Sequence, residues 1–247
     1  MKMIISNYIT NYNLKVLLFT FFVYSINIYC NSTDEKLNVI WISCEDMGPV
    51  LGTYGVNEIS TPNIDKLAEQ GVKYTNAYST VGVCAPSRFS IITGMYPARL
   101  GAHNMRTGSF YTYKDPDKLT FRQNKGVKDK TGENVPEYEV VTPANIKVFT
   151  EYLRNENYYC VNNNKCDYQF NPPFTAWDEV SGNVSYKDRP VNTPFFYVKN
   201  LMVTHESRIW LRKDEPITVD KNILKIPAYY PDISVVRNDI AIKYSNI

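Results

Sequence analysis

Asn38-Val39-Ile40-Trp41-Ile42-Ser43-Cys44-Glu45-Asp46 is a short apolar run, rich in β-branched and aromatic side chains, that ends in two carboxylates. It reads as a strand buried on both faces, with the acidic pair emerging at its C-terminal edge. Outward from it, Thr61 is placed to cap a helix. That helix has Pro62 at its first position, Ile64, Leu67 and Ala68 on one face, and Gly71 past its end. Residues 72–78 read as a second strand, and Thr142-Pro143 opens another helix with Ile146, Phe149 and Leu153 turned inward. Strands follow at 158–161 and 194–203, and a helix at 235–244. Strands alternating with helices predict an α/β fold with a mainly parallel sheet flanked by helices. In such sheets ligands bind beyond the carboxyl ends of the strands. Glu45-Asp46, Lys165 and Thr204-His205 each follow a predicted strand, so all fall on that one edge.

Cys84-Ala85-Pro86-Ser87-Arg88 puts a nucleophile, a helix-starting proline and a fixed cation within about one turn. Phe89, Ile91 and Ile92 continue the helix until Gly94 offers a stop. Cys84 then lies where unpaired N–H groups and the helix dipole favour negative charge. Arg88 adds a guanidinium fork suited to a tetrahedral oxyanion. A lone cysteine in such a place is most simply a buried capping residue; the whole pattern, with its flanks, reads differently.

The stretch Cys-x-Pro-Ser-Arg followed by Thr93-Gly94-Met95-Tyr96-Pro97 resembles the sulfatase signature. The runs 38–46 and 61–71 are similar to sulfatase sequence as well, and the resemblance continues more weakly to the end of the chain. It implies an alkaline-phosphatase-like sulfatase fold, a formylglycine made from Cys84 by a maturation enzyme, and a divalent cation such as Ca2+. Glu45, Asp46 and Cys84 are then the expected metal ligands, with Glu45 standing where the family usually has aspartate. Arg88 is expected beside the hydrated aldehyde. Lys165 resembles the lysine that touches sulfate and formylglycine, although Asp167 replaces the histidine usual two residues later. His205, in Thr204-His205-Glu206-Ser207-Arg208, resembles the histidine facing the substrate, and His103 is a further substrate contact. The order of these motifs resembles the heparan N-sulfatase (sulfamidase) branch most, which implies hydrolysis of sulfate esters or sulfamates on sulfated glycans. A phosphodiesterase or phosphonate hydrolase of the same superfamily, or an inactive glycan-binding remnant, are the alternatives. No downstream acidic metal motif is convincing after His205, so the expectation is a C-terminally truncated catalytic domain over 38–247, incomplete in its sheet.

The bulk numbers agree with a globular domain. The 247 residues are 44% hydrophobic and 21% charged. Lys2 and Lys15 flank an apolar run at 16–24, which reads as an export signal over residues 1–30 and is too short for a stable membrane span. Lipid anchoring through Cys30 is a lesser option, because bulky Tyr29 precedes it. Setting the two leader lysines aside, 25 basic residues face 25 acidic ones, which gives no bulk reason to expect nucleic acid or an anionic membrane as partner. Cys160 and Cys166 are candidates to pair in an oxidising compartment. Residues 106–139 are polar and poorly periodic, and read as a long insertion or substrate-facing loop.

Overall fold

The computed structural model describes residues 35–105, 128–133, 139–170 and 172–247. The predicted leader with Cys30, and most of the 106–139 insertion, lie outside them. Every element described below belongs to the compact unit Asn38–Ile247. Four strands form one sheet: β1 (Val39–Cys44), β2 (Tyr159–Asn163), β3 (Glu179–Ser181) and β4 (Phe195–Leu201), in the order β1-β4-β2-β3 with every pair parallel. The helices are α1 (Pro62–Gln70), α2 (Cys84–Thr93), α3 (Phe149–Asn155), α4 (Arg208–Leu211) and α5 (Ser234–Ser245). This is the predicted class, a parallel sheet with flanking helices. Among the described residues no helix is long and apolar enough to cross a membrane.

The register explains where the site lies. Trp41 pairs with Val198 and Ser43 with Asn200, while Cys160 pairs with Phe196 and Asn162 with Val198. Side chains alternate with period two, so Phe196, Val198 and Asn200 share one sheet face with Trp41, Ser43, Cys160 and Asn162. The N-terminal half of that face is apolar. Phe196 and Val198 pack there with Phe89 and Ile92 of α2, and with Val148 and Trp177. Phe196 meets Phe149 edge-on at 5.2 Å between ring centres and stacks on Trp177 at 6.2 Å. The C-terminal half is polar, and there the same face carries Ser43, Asn162 and Asn200. A second, smaller cluster joins Val219 and Leu224 to Ala241 of α5.

Several local expectations are corrected. β1 is an edge strand, not one buried on both faces; its Ile40 and Ile42 are 53% and 62% exposed. Its one strand neighbour among the described residues is β4. The apolar face of α1 is likewise uncovered, with Leu67 exposed, and Thr61 does not cap through its hydroxyl. That hydroxyl instead accepts the Gly52 N–H at 2.9 Å and lies 3.1 Å from Asp65 Oδ1. Residues 72–78 form no strand; Lys73 and Tyr74 are tied to the 53–54 turn by a Lys73 Nζ bond to Thr53 O and a Tyr54 hydroxyl bond to Tyr74 O. The helix expected from Thr142-Pro143 starts only at Phe149, where the Glu151 carboxylate receives the Val148 N–H at 2.9 Å. Phe149 and Leu153 do face inward. Cys160 and Cys166 are both free thiols: Cys160 packs against the Thr150 carbonyl, and Cys166 receives the Asn162 amide.

Candidate active site

Val83 is extended and the helical backbone starts at Cys84, so Pro86 is the third helical residue, two later than the sequence pattern places it. The position still suits proline, because N–H groups in the first helical turn have no intrahelical acceptor. The first bond is Ser87 N–H to Val83 O at 3.1 Å. Gly94 closes the helix with φ 68°, donating to Ser90 O at 2.9 Å. Buried Phe89 and Ile92 press α2 onto the sheet. Ile91 is half exposed and takes no part in that anchoring.

From this fixed helix Arg88 reaches the ends of two strands. One guanidinium nitrogen meets Glu45 Oε1, just after β1, and another donates to Asn200 Oδ1 of β4 at 3.0 Å. Lys165, from the turn after β2, donates to the other Glu45 oxygen at 2.8 Å and stands 3.2 Å from Asp167 Oδ2. Glu45 is only 4% exposed, so its charge is compensated by two cations rather than by water. Burial pushes its carboxyl upward, but the Arg88 charge and the Lys165 bond outweigh that and hold it below the ordinary value.

Asp46 takes a left-handed backbone, φ 48°, which turns its side chain away from that of Glu45 and toward the segment after β4. Its Oδ2 accepts the Glu206 N–H at 3.0 Å and lies 3.9 Å from His205 Nε2. His205 Nδ1 accepts the Ser207 N–H at 3.2 Å, so in the neutral ring Nε2 carries the proton. The three strand ends thus come together as expected. Cys84, Arg88, Glu45, Asp46 and Asn200 line one cleft of about 480 Å3, whose inner wall includes Trp41, Phe149 and Trp177. Lys165 and His205 flank it through Glu45 and Asp46. His103 is not brought there: it is exposed in the turn after 97–100, and the cleft lining does not include it.

Asn200 is the member that sequence reading missed. The period-two phase of β4 was its only signal, and that phase has meaning only once the buried face is known.

Cys84, partly exposed on the cleft wall at a helix N-terminus, suits conversion to an aldehyde group. The divalent cation fits less well. A calcium-type ion takes six to eight oxygens, yet both Glu45 oxygens are engaged by cations, and no group of three or more His, Cys, Asp or Glu among the described residues is placed to hold a metal.

The sulfatase family model matches residues 37–221. An ulvan-active sulfatase of Formosa agariphila is 44% identical over 71% of this chain and 26% of its own length. An N-acetylgalactosamine-6-O-sulfatase of Bacteroides thetaiotaomicron is 52% identical over 26% of this chain and 13% of its own. Human iduronate 2-sulfatase is 46% identical over 27% of this chain and 12% of its own. The matched stretch therefore spans about a quarter, or less, of each of these relatives.

Proposed function

The chain belongs to the sulfatase family, and from that premise we propose that its cleft serves hydrolysis of sulfate esters or sulfamates on a sulfated glycan. The observation that carries this is that Cys84 and Arg88 line one cleft at the carboxyl edge of a parallel sheet, beside which Lys165 shares Glu45 with Arg88. The names of the relatives, with ulvan, N-acetylgalactosamine and iduronate among their substrates, support a sulfated glycan as the class. Formylglycine at position 84, made by a maturation enzyme, supplies an oxygen nucleophile when hydrated. Arg88 and Lys165 then take up the negative charge that grows on the sulfuryl oxygens. Each is held by Glu45 before substrate arrives, so their positions are set before any charge develops. His205, with its proton on Nε2, faces the strand edge where a leaving oxygen or nitrogen has to be protonated. Asp46 as a metal ligand, and export through the leader, belong to the same reading, whereas Glu45 has both carboxylate oxygens on Arg88 and Lys165.

Peptide mass spectrometry across Cys84, after co-expression with a formylglycine-generating enzyme, tests the nucleophile. The expected result is conversion of the thiol, together with sulfate release from a sulfated disaccharide that Cys84→Ala abolishes. An unmodified thiol, or release unchanged in Cys84→Ala, overturns it. Calcium titration followed by the unfolding temperature tests the metal: a rise abolished by Asp46→Asn supports metal ligation, and no rise overturns it.

A further inference from the structure

We propose that Asn200 is the positioning residue that sets Arg88 against Lys165, so that the cation on the cleft wall and the one that flanks it are placed by one amide. The inference rests on the reading above only for what the cations do; the coupling itself is read from hydrogen bonds. Asn200 is 2% exposed and joins the three elements that deliver the site. Its Oδ1 accepts from Arg88 at 3.0 Å and from Ser43 Oγ of β1 at 2.6 Å. Its Nδ2 donates to the Lys165 carbonyl at 2.9 Å, with Asn162 Oδ1 and the Asn163 carbonyl each at 3.3 Å.

This partner set leaves the amide one orientation. A flip would turn Nδ2 toward the Arg88 N–H and Oδ1 toward two backbone carbonyls, donor against donor and acceptor against acceptor. The same fixed group therefore fixes the guanidinium on one side and the turn bearing Lys165 on the other. Glu45 bridges the two cations at their tips, whereas Asn200 joins the Arg88 guanidinium to the backbone carbonyl of Lys165. Glu45 holds the cations through a longer side chain than that of Asn200, and touches no part of the turn that carries Lys165 other than its ammonium group. Asn200 is the penultimate residue of β4, in register with Ser43 of β1 and one residue past the last β2 pair at Lys199, and its buried amide is held by hydrogen bonds to both sides. Asn162 does not supply this: it also donates to the Lys165 carbonyl, at 3.2 Å, but its Nδ2 turns otherwise to Cys166 rather than to Arg88.

The test compares Asn200→Ala and Asn200→Asp in the full chain, by nitrogen-15 NMR of the Arg88 guanidinium and the Lys165 ammonium. In Asn200→Ala both signals shift and the Arg88 N–H protons exchange faster. Asn200→Asp keeps the acceptor for Arg88 and Ser43 but has no donor for the Lys165 carbonyl, so Lys165 shifts while Arg88 stays in slow exchange. Glycan-sulfate turnover by matured protein then falls roughly tenfold or more in kcat/KM for Asn200→Ala. An Arg88 or Lys165 signal left unmoved in folded Asn200→Ala overturns the proposal; if that variant does not fold, the Asn200→Asp pattern decides in the same way. A wild-type chain that shows the coupled NMR response but no turnover overturns the functional reading instead, and leaves the coupling standing.

Discussion

Glu45→Gln keeps the shape of the side chain and removes the one charge that Arg88 and Lys165 share. The two cations are then left facing each other in a setting where Glu45 is 4% exposed and the Lys165 side chain 8%. Breaking a buried ion pair from one side typically costs about 3–5 kcal/mol, so the expected outcome is a stability loss of that order in urea titration. Acid acts on the same group. The folded Glu45 carboxyl lies below its ordinary 4.5, so its stabilising contribution is present above pH 4.5 and is lost as pH falls through the lower, folded value. Stability measured from pH 7 downward should therefore fall less steeply between these points in Glu45→Gln than in the wild type. The thiols differ for a related reason. Burial pushes Cys160 and Cys166 up to about 12, which leaves little thiolate at pH 8. Iodoacetamide on the native protein should label Cys84, on the cleft wall, before either of them; equal labelling would contradict the packing described.

Among the elements, α2 was the most legible. Gly94 marks its end where the chain adopts the left-handed turn, and the apolar residues that hold it down are local in sequence. Phe89 is fully buried and meets Phe170 edge-on at 5.7 Å. Phe89→Ala should cost about 3–5 kcal/mol in thermal or urea unfolding, and should shift the Arg88 signals too, because the same turn carries both residues. The strand read at 72–78 failed because alternation of apolar side chains is only half of a strand; the other half is a neighbour with open hydrogen bonds, and none is available there among the described residues. The late start of α3 has a different cause. Pro143 is tolerated in a first helical turn but does not nucleate one, whereas the Glu151 carboxylate on the Val148 N–H does.

At the scale of the molecule, the sheet carries its hydrophobic load unevenly. β4 and β2 have a strand on each side, while β1 has one strand neighbour among the described residues and exposes Ile40 and Ile42 on one face. Unpaired edges with apolar side chains template association, so light scattering of the purified chain should rise with concentration, and Ile42→Lys should reduce that rise. An equal rise in Ile42→Lys would place the sticky surface elsewhere. The sequence by itself determined the family and the places of its motif residues: Cys84, Arg88 and Glu45-Asp46 are legible because helix starts, helix stops and strand ends are written in neighbouring residues. It also determined that the sheet is parallel, because its strands alternate with helices. Only the tertiary structure decided that β1 lies at an edge, that Glu45 faces two cations, that His103 stays outside the cleft, and that Asn200 stands between Arg88 and Lys165. Those outcomes depend on strand order and register, which bring together residues more than 100 positions apart, and no local pattern encodes which strand becomes whose neighbour.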